Sequence, residues 1–174
     1  MKNMMLALIL LSILLVSSFV VQAQADSTWT IQVVDPAGAG GSIALDSEGY
    51  PHIAYTYWYV EDDSSATHLN YAVWNGTDWK IQTVDSSGGG GLLALDSYNT
   101  PHIVYSVGSG RVLKYATLSN QQWKIQTIET SRYYRGLHYS FTLDSNGNPH
   151  IVYDSFNETS KSREVKYAVL TGST

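Results

Sequence analysis

The sequence predicts an all-β fold made of three repeated antiparallel units, and two observations support this. An eleven-residue phrase occurs three times, as LDSEGYPHIAY from Leu45, LDSYNTPHIVY from Leu95 and LDSNGNPHIVY from Leu143. Each copy is an apolar run, a turn and a second apolar run, which is the pattern of a β-hairpin. The composition agrees: Tyr and Gly are plentiful, charged residues make up only 14% of the chain, and no helical periodicity appears beyond the N-terminal segment.

The turn inside each phrase has a chemical basis. Its first residue is an aspartate, whose carboxylate accepts hydrogen bonds from backbone N–H groups just downstream, as in an Asx-turn. Its fourth residue is Gly or Asn, the residue types that best tolerate positive φ. A proline then opens the second strand, where a missing N–H matters least. These positions are Asp46, Asp96 and Asp144; Gly49, Asn99 and Gly147; and Pro51, Pro101 and Pro149.

The phrase belongs to a longer unit that starts at a tryptophan. The units begin as WTIQVVD at Trp29, WKIQTVD at Trp79 and WKIQTIE at Trp123, and their later parts read LNYAVW, LKYATL and VKYAVL. A period of about 45 to 50 residues with four strands per unit is typical of β-propeller blades. We assign strand A to the runs before each Asp turn, strand B to the PHI runs, strand C to the YA runs and strand D to the tryptophan runs.

The units resemble the ALDSxGxPHIAYY…LKYA…NGxxWxIxTVD repeats of secreted archaeal and bacterial β-propeller proteins, which are similar in turn to sialidase-like, BNR-type propellers. The resemblance covers nearly all of the chain beyond the N-terminal segment and implies the fold. It does not imply an activity. The Asp-box pattern S-x-D-x-G-x-T-W is absent from this sequence, so no sialidase residue is transferred to it.

The third unit lacks a strand D of its own, and a spare one lies at the other end of the domain, from Trp29 to Val34. Closed propellers typically have four to eight blades, so three are too few for one ring. We therefore predict either half of a six-bladed ring, completed by a second copy of the chain as a homodimer, or a fragment of a larger propeller.

The N-terminal residues read as an export signal. Lys2 precedes an apolar run from Met4 to Val21, and Ala23-Gln24-Ala25 fits a cleavage site, so residues 1 to 25 are predicted to be a signal peptide and residues 26 to 174 the repeat domain. The alternative is an uncleaved membrane anchor. Both readings predict a secreted, periplasmic or cell-surface domain.

The net charge limits the possible partners, and the cysteine content limits the possible sources of stability. The net charge is −5 and there is no cysteine. A mildly acidic chain argues against nucleic acid as a partner, and stability has to come from apolar burial and hydrogen bonding rather than from disulfides.

Residues that recur in every unit are predicted to serve folding. His52, His102 and His150 could bind a metal only if they converged, whereas blades related by rotation hold equivalent residues apart. We predict no metal and no cofactor. The structural set is Asp46, His52, Trp79, Asp96, His102, Trp123, Asp144 and His150.

Function is expected where the units differ. The variable stretches are predicted B–C loops at Tyr57 to Asp63 and Phe156 to Arg163, and a D–A link in the third unit. Aromatic rings beside polar groups suit sugar recognition. The predicted ligand-binding residues are Tyr57, Trp58, Tyr59, Arg132, Tyr133, Tyr134, Arg135 and His138.

We predict a non-catalytic module that binds glycan or surface protein, with no catalytic residue assigned. The alternatives are a sialidase-like glycoside hydrolase and a purely structural scaffold. A hydrolase needs two carboxyl groups placed across the scissile bond. Glu61, Asp62, Asp63 and Glu158 are the variable-loop acids, and no motif fixes their positions.

Overall fold

The computed structural model of the protein describes residues 28–61, 64–108, 110–131, 138–157 and 159–171. The chain divides into two units, Met1–Gln32 and Val33–Thr174. In the first unit the predicted signal peptide lies outside the described residues, and residues 28 to 32 contain no helix or strand. No helix in the described ranges is long and apolar enough to span a bilayer.

The second unit confirms the all-β prediction. Its described residues form three antiparallel sheets of four, four and three strands, with strand order following the chain. The first sheet has β1 (Gly38–Leu45), β2 (Pro51–Glu61), β3 (Ser64–Trp74) and β4 (Trp79–Asp85). The second has β5 (Gly88–Leu95), β6 (Pro101–Val107), β7 (Val112–Ser119) and β8 (Gln122–Thr130). The third has β9 (Tyr139–Leu143), β10 (Pro149–Asn157) and β11 (Ser162–Val169).

The segment from Trp29 to Val34, predicted to be a spare outer strand, forms no strand within one copy of the chain, and its pairing with a second copy stays a prediction. Two predicted loops were wrong. Tyr57 to Glu61 lie in β2, Phe156 and Asn157 extend β10, and Ser162 and Arg163 begin β11. The β-prone side chains of β2 and β10 continue the ladder past the sheet core.

The two glycine-rich runs have the composition of flexible links, but in the structure they form strands. Gly38–Gly41 and Gly88–Gly91 belong to β1 and β5, where register shifts mark a bulge in each strand. Gly40 and Gly90 take positive φ of 56° and 65° at these bulges. A Cβ on Gly91 would lie 2.8 Å from Ile103 Cγ2. Glycine is therefore required here for both conformation and close packing.

The predicted Asp turns are confirmed. Asp46 Oδ1 accepts hydrogen bonds from the N–H groups of Glu48 at 2.9 Å and Tyr50 at 2.8 Å. The second and third turns repeat this pair of bonds at Asp96 and Asp144. The fourth turn residues have positive φ, which is 84° at Gly49, 62° at Asn99 and 80° at Gly147.

The second sheet contributes one face to each of two hydrophobic cores. Ile103 and Tyr105 on β6 pack with residues of the first sheet, including Leu69 and Tyr71. Val104, between them in sequence, packs instead with Ile151 and Tyr153 of the third sheet, together with Leu113 and Tyr115. Successive side chains of a strand point to opposite faces, so one central strand supplies both cores.

Candidate functional site

The strand pairing places the described parts of the two predicted B–C loops at one end of their sheets. β1 starts where β2 ends, as the pairing of Gly38 with Tyr57 shows. We call this the variable end, and the opposite end, which carries the Asp turns, the Asp-turn end. Gly90 joins the three sheets at the variable end: its N–H donates to Thr56 Oγ1 at 2.7 Å, and its carbonyl accepts from Tyr139 Oη at 2.5 Å.

An aromatic cluster occupies the hairpin of β2 and β3 at the variable end. The rings of Tyr57 and Tyr59 lie 6.2 Å apart at an interplanar angle of 27°. The His68 ring on the neighbouring strand lies 4.7 Å from Tyr59, edge to face, and 6.1 Å from Tyr57. Trp58, between the two tyrosines, must point to the other face of the hairpin and is 53% exposed. The hairpin therefore presents rings on both faces.

His68 was missed from the sequence, because it falls before the repeated strand C run rather than beside the YWY stretch. Its signal was the register: an eleven-residue β2 turning back through β3 pairs Tyr57 with His68. Cross-strand neighbours on one face are close enough for rings to meet.

A polar cluster at the variable end of the third sheet contains the predicted residue His138. Asp154 on β10 accepts the His138 backbone N–H at 2.8 Å and contacts the His138 ring Nδ1 at 3.4 Å. Arg163 on β11 donates to the same carboxylate at 2.8 Å. Burial opposes ionisation of Asp154, but these contacts outweigh it and lower its pKa. His138 and Arg163 are 82% and 50% exposed in their side chains, so both remain accessible to a ligand.

The other predicted binding residues, Arg132, Tyr133, Tyr134 and Arg135, lie outside the described residues, as do Asp62, Asp63 and Glu158. Among the described carboxyl groups, every resolved pKa shift is downward. A glycosidase acid would instead need its pKa raised. No group of three potential metal ligands occurs among the described residues.

Each repeated histidine of strand B is hydrogen bonded to the strand C tyrosine of its own sheet and lies within 3.5 Å of the aspartate of the Asp turn. His52 Nδ1 is hydrogen bonded to Tyr71 Oη, and its Nε2 lies 3.4 Å from Asp46. The matching Nδ1 to tyrosine distances are 2.5 Å for His102 and Tyr115 and 2.6 Å for His150 and Tyr167. The tyrosine was not singled out from the sequence, although it recurs in every YA run.

Trp123 bridges neighbouring sheets. Its ring lies 5.3 Å from that of Tyr71 at 72°, and its Nε1 donates to Gln82 Oε1 at 3.2 Å. Trp79, its counterpart in the first sheet, packs on Trp74 at 5.4 Å. The Nε1 of Trp79 is buried without a hydrogen-bond partner in the described part of the chain.

The carboxylate at the end of each tryptophan run accepts a hydrogen bond from a tyrosine of the next sheet, and we call each of these contacts an inter-sheet lock. The Tyr55 hydroxyl donates to Asp35 at 2.7 Å, Tyr105 to Asp85 at 2.7 Å and Tyr153 to Glu129 at 3.2 Å. Lys114 and Lys166 reinforce the second and third locks at 2.8 Å and 2.9 Å. These locks were not predicted, because they join residues of successive units.

Comparison with protein-family models, with curated proteins and with solved structures finds no match for this chain. The fold and the site geometry therefore have to support any functional conclusion by themselves.

Proposed function

We propose that the three sheets are blades of a β-propeller and that the chain is a secreted or cell-surface module that binds glycan without cleaving it. The repeat resemblance and the predicted export signal support the architecture and the location. One observation supports the ligand class most directly, the exposed aromatic hairpin of β2 and β3 at the variable end. Rings stack on the apolar faces of sugars, while nearby polar groups take the hydroxyls.

Two features support the assignment of this hairpin to a binding surface rather than to the core. Trp58 and Tyr59 lie beyond the last pair between strands A and B, which joins Gly38 and Tyr57. Trp58 keeps 53% of its surface exposed although it lies in a regular strand. An exposed indole beside polar groups is the amphipathic combination that binding sites favour.

The polar cluster of His138, Asp154 and Arg163 supplies hydrogen-bonding groups at the variable end of the third sheet. An Arg guanidinium can donate to the carboxylate or hydroxyl groups of a sugar, and an ionised carboxylate can accept hydrogen bonds from sugar hydroxyl groups. The lowered pKa of Asp154 keeps it an acceptor near neutral pH. It favours recognition over acid catalysis, because an ionised carboxylate has no proton to give.

A glycan array probed with the purified protein tests the proposal, followed by calorimetry on the best ligand. We expect Trp58→Ala, or Tyr57→Ala combined with Tyr59→Ala, to weaken binding about 10- to 100-fold, the effect of losing one or two ring contacts. Because Trp58 and the tyrosines lie on opposite faces, the variant with the larger effect identifies the face that binds.

Tyr98→Ala is the matched control, because Tyr98 is 87% exposed but lies in an Asp turn at the opposite end. It should bind like wild type. The proposal fails if no glycan binds, or if Tyr98→Ala weakens binding as much as the hairpin variants. Hydrolysis of chromogenic glycosides by the wild type would instead establish an enzyme.

A further inference from the structure

We propose that a second copy of the chain completes the third sheet, with the segment Trp29 to Asp35 of each copy pairing with β11 of its partner and the Trp29 ring entering an open cavity beside Tyr115. The inference rests on the proposed blade arrangement but not on any ligand. It assigns a partner and a register to the exposed faces of the first and third sheets.

The register comes from the two complete sheets. In the first, Trp74 pairs with Trp79 and Val73 with Lys80. In the second, Leu118 pairs with Trp123 and Thr117 with Lys124. β11 and the residues that follow it read VKYAVL, and the unpaired segment reads WTIQVVD. The same register pairs Leu170 with Trp29 and Val169 with Thr30.

The cavity lies where this register puts the indole. In the first sheet Tyr71 is covered by Trp123, the residue paired with Leu118. In the second sheet the equivalent Tyr115 lines a cavity of about 500 Å³ together with Leu170, the counterpart of Leu118. A tryptophan paired with Leu170 would thus cover Tyr115 as Trp123 covers Tyr71. The rest of the cavity wall includes His102, Asn148 and Pro149.

The face of the third sheet that carries Val165 and Tyr167 is apolar and exposed, unlike the equivalent faces of the first and second sheets. Tyr167 is 64% exposed, whereas Tyr71 and Tyr115 are 3% and 4% exposed. Val165 is 78% exposed, whereas Leu69 and Leu113 at the same position are fully buried. A contiguous apolar face of this kind indicates a missing neighbour.

The first sheet also has an exposed apolar side chain where its counterpart in the second sheet is buried. Ile43 is 63% exposed, whereas its counterpart Leu93 in the second sheet is 7% exposed against the first sheet. The exposed face of the third sheet is thus equivalent to the face of the second sheet that packs on the third sheet. The exposed face of the first sheet is equivalent to the face of the second sheet that packs on the first sheet.

Asp35 already makes the contact expected at the end of an outer strand. Its bond to Tyr55, at 2.7 Å, matches the bond of Asp85 to Tyr105. In the second case the carboxylate ends β4, the outer strand of the preceding sheet. The residues leading into Asp35 are thus expected at the outer edge of a sheet that would precede the first one.

A ring built from two copies of the three sheets is compatible with known propellers. It would have six blades, within the four to eight that closed propellers typically have. The two copies would meet through two equivalent head-to-tail contacts.

The absence of cysteine from the chain allows a direct test. The full-length gene product, purified from a host that exports it, is examined by light scattering and then as the Thr30→Cys/Val169→Cys variant after oxidation. We expect twice the monomer mass and a disulfide between chains. Mixing Thr30→Cys protein with Val169→Cys protein should give a covalent heterodimer.

The matched control is Lys80→Cys/Val73→Cys, which places the same pair in the observed β3–β4 ladder and should link within one chain. Trp29→Ala should raise the dimer dissociation constant on the order of 100-fold, as for removal of a central anchor, while Trp58→Ala should leave it unchanged. A wild-type monomer at all concentrations overturns the proposal, as does a disulfide that joins positions 30 and 169 within one chain. Loss of glycan binding in a protein that remains dimeric would count against the proposed function alone.

Discussion

Replacing Tyr105 with Phe removes one hydroxyl from the interface between the first and second sheets. Tyr105 is fully buried, and its hydroxyl donates to Asp85 at 2.7 Å. Asp85 also accepts from Lys114 at 2.8 Å and from Ser87, so the carboxylate keeps partners in the variant. The expected loss is that of one hydrogen bond to a charged group, about 2 kcal/mol in the free energy of unfolding.

The assay is urea unfolding followed by tryptophan fluorescence. All variants are compared at one protein concentration, because the proposed association would add to the free energy of unfolding. Tyr153→Phe is the graded comparison: its bond to Glu129 is longer, at 3.2 Å, and we expect a loss of about 1 kcal/mol or less. Tyr98→Phe, in an exposed turn, should change nothing. If Tyr105→Phe lowers the free energy of unfolding by under about 0.5 kcal/mol, the inter-sheet lock does not stabilise the fold.

Three further predictions concern acid sensitivity, packing and the Asp turns. Burial opposes ionisation of Asp85, but its hydrogen bonds outweigh burial and lower its pKa from the usual 3.8. The stability that the ionised carboxylate adds to the fold is therefore present above that value and is lost as pH falls through the folded pKa. The melting temperature should fall as the pH is lowered below about 4, and it should fall less steeply in Asp85→Asn. Gly91→Ala should cost about 2 kcal/mol of unfolding free energy, because its Cβ would lie 2.8 Å from Ile103. The matching Gly41→Ala has no contact nearer than 3.3 Å and should cost less; equal urea midpoints would contradict this. Asn99→Ala should lower the melting temperature more than Asn120→Ala, although both residues have positive φ, because Asn99 also joins Ser47 across the sheets through bonds of 2.8 and 3.0 Å.

The parts of the fold that were predictable from the sequence are those set by local chemistry. An aspartate followed three residues later by Gly or Asn defines a turn through its own hydrogen bonds, and the structure has that turn at all three places. Strand limits near the sheet cores followed from the same repeats. This is expected, because turn geometry and alternation involve only neighbouring residues.

What could not be predicted depends on contacts between distant residues. The YWY stretch was placed in a loop because nothing within it shows that residues 64 to 68 turn back to pair with it. The glycine run at residues 88 to 91 has the composition of a linker, and only the approach of Ile103 and Leu69 explains it as a strand. The His138 cluster needed Asp154 and Arg163 from two other strands.

Near-identical repeats in unequal surroundings show how strongly burial depends on neighbours. Tyr71, Tyr115 and Tyr167 occupy one repeat position and bond equivalent histidines, yet they range from 3% to 64% exposed. The histidine and the Asp turn hold each ring in place from within its own sheet, so the ring conformation does not need a neighbour. Burial of the ring does need a neighbour. Trp123 covers Tyr71, the cavity adjoins Tyr115, and Tyr167 lies on the exposed face of the third sheet.

A tyrosine of this repeat position is therefore buried where another sheet lies beyond it and exposed where none does, and a sheet from a second copy should bury Tyr167. Val165 lies on the same strand face as Tyr167 and is 78% exposed. Because the chain has no cysteine, Val165→Cys would introduce its only thiol. Alkylation of that thiol by iodoacetamide should slow as rising protein concentration drives association. A rate that stays constant while the mass doubles would place the contact between copies elsewhere.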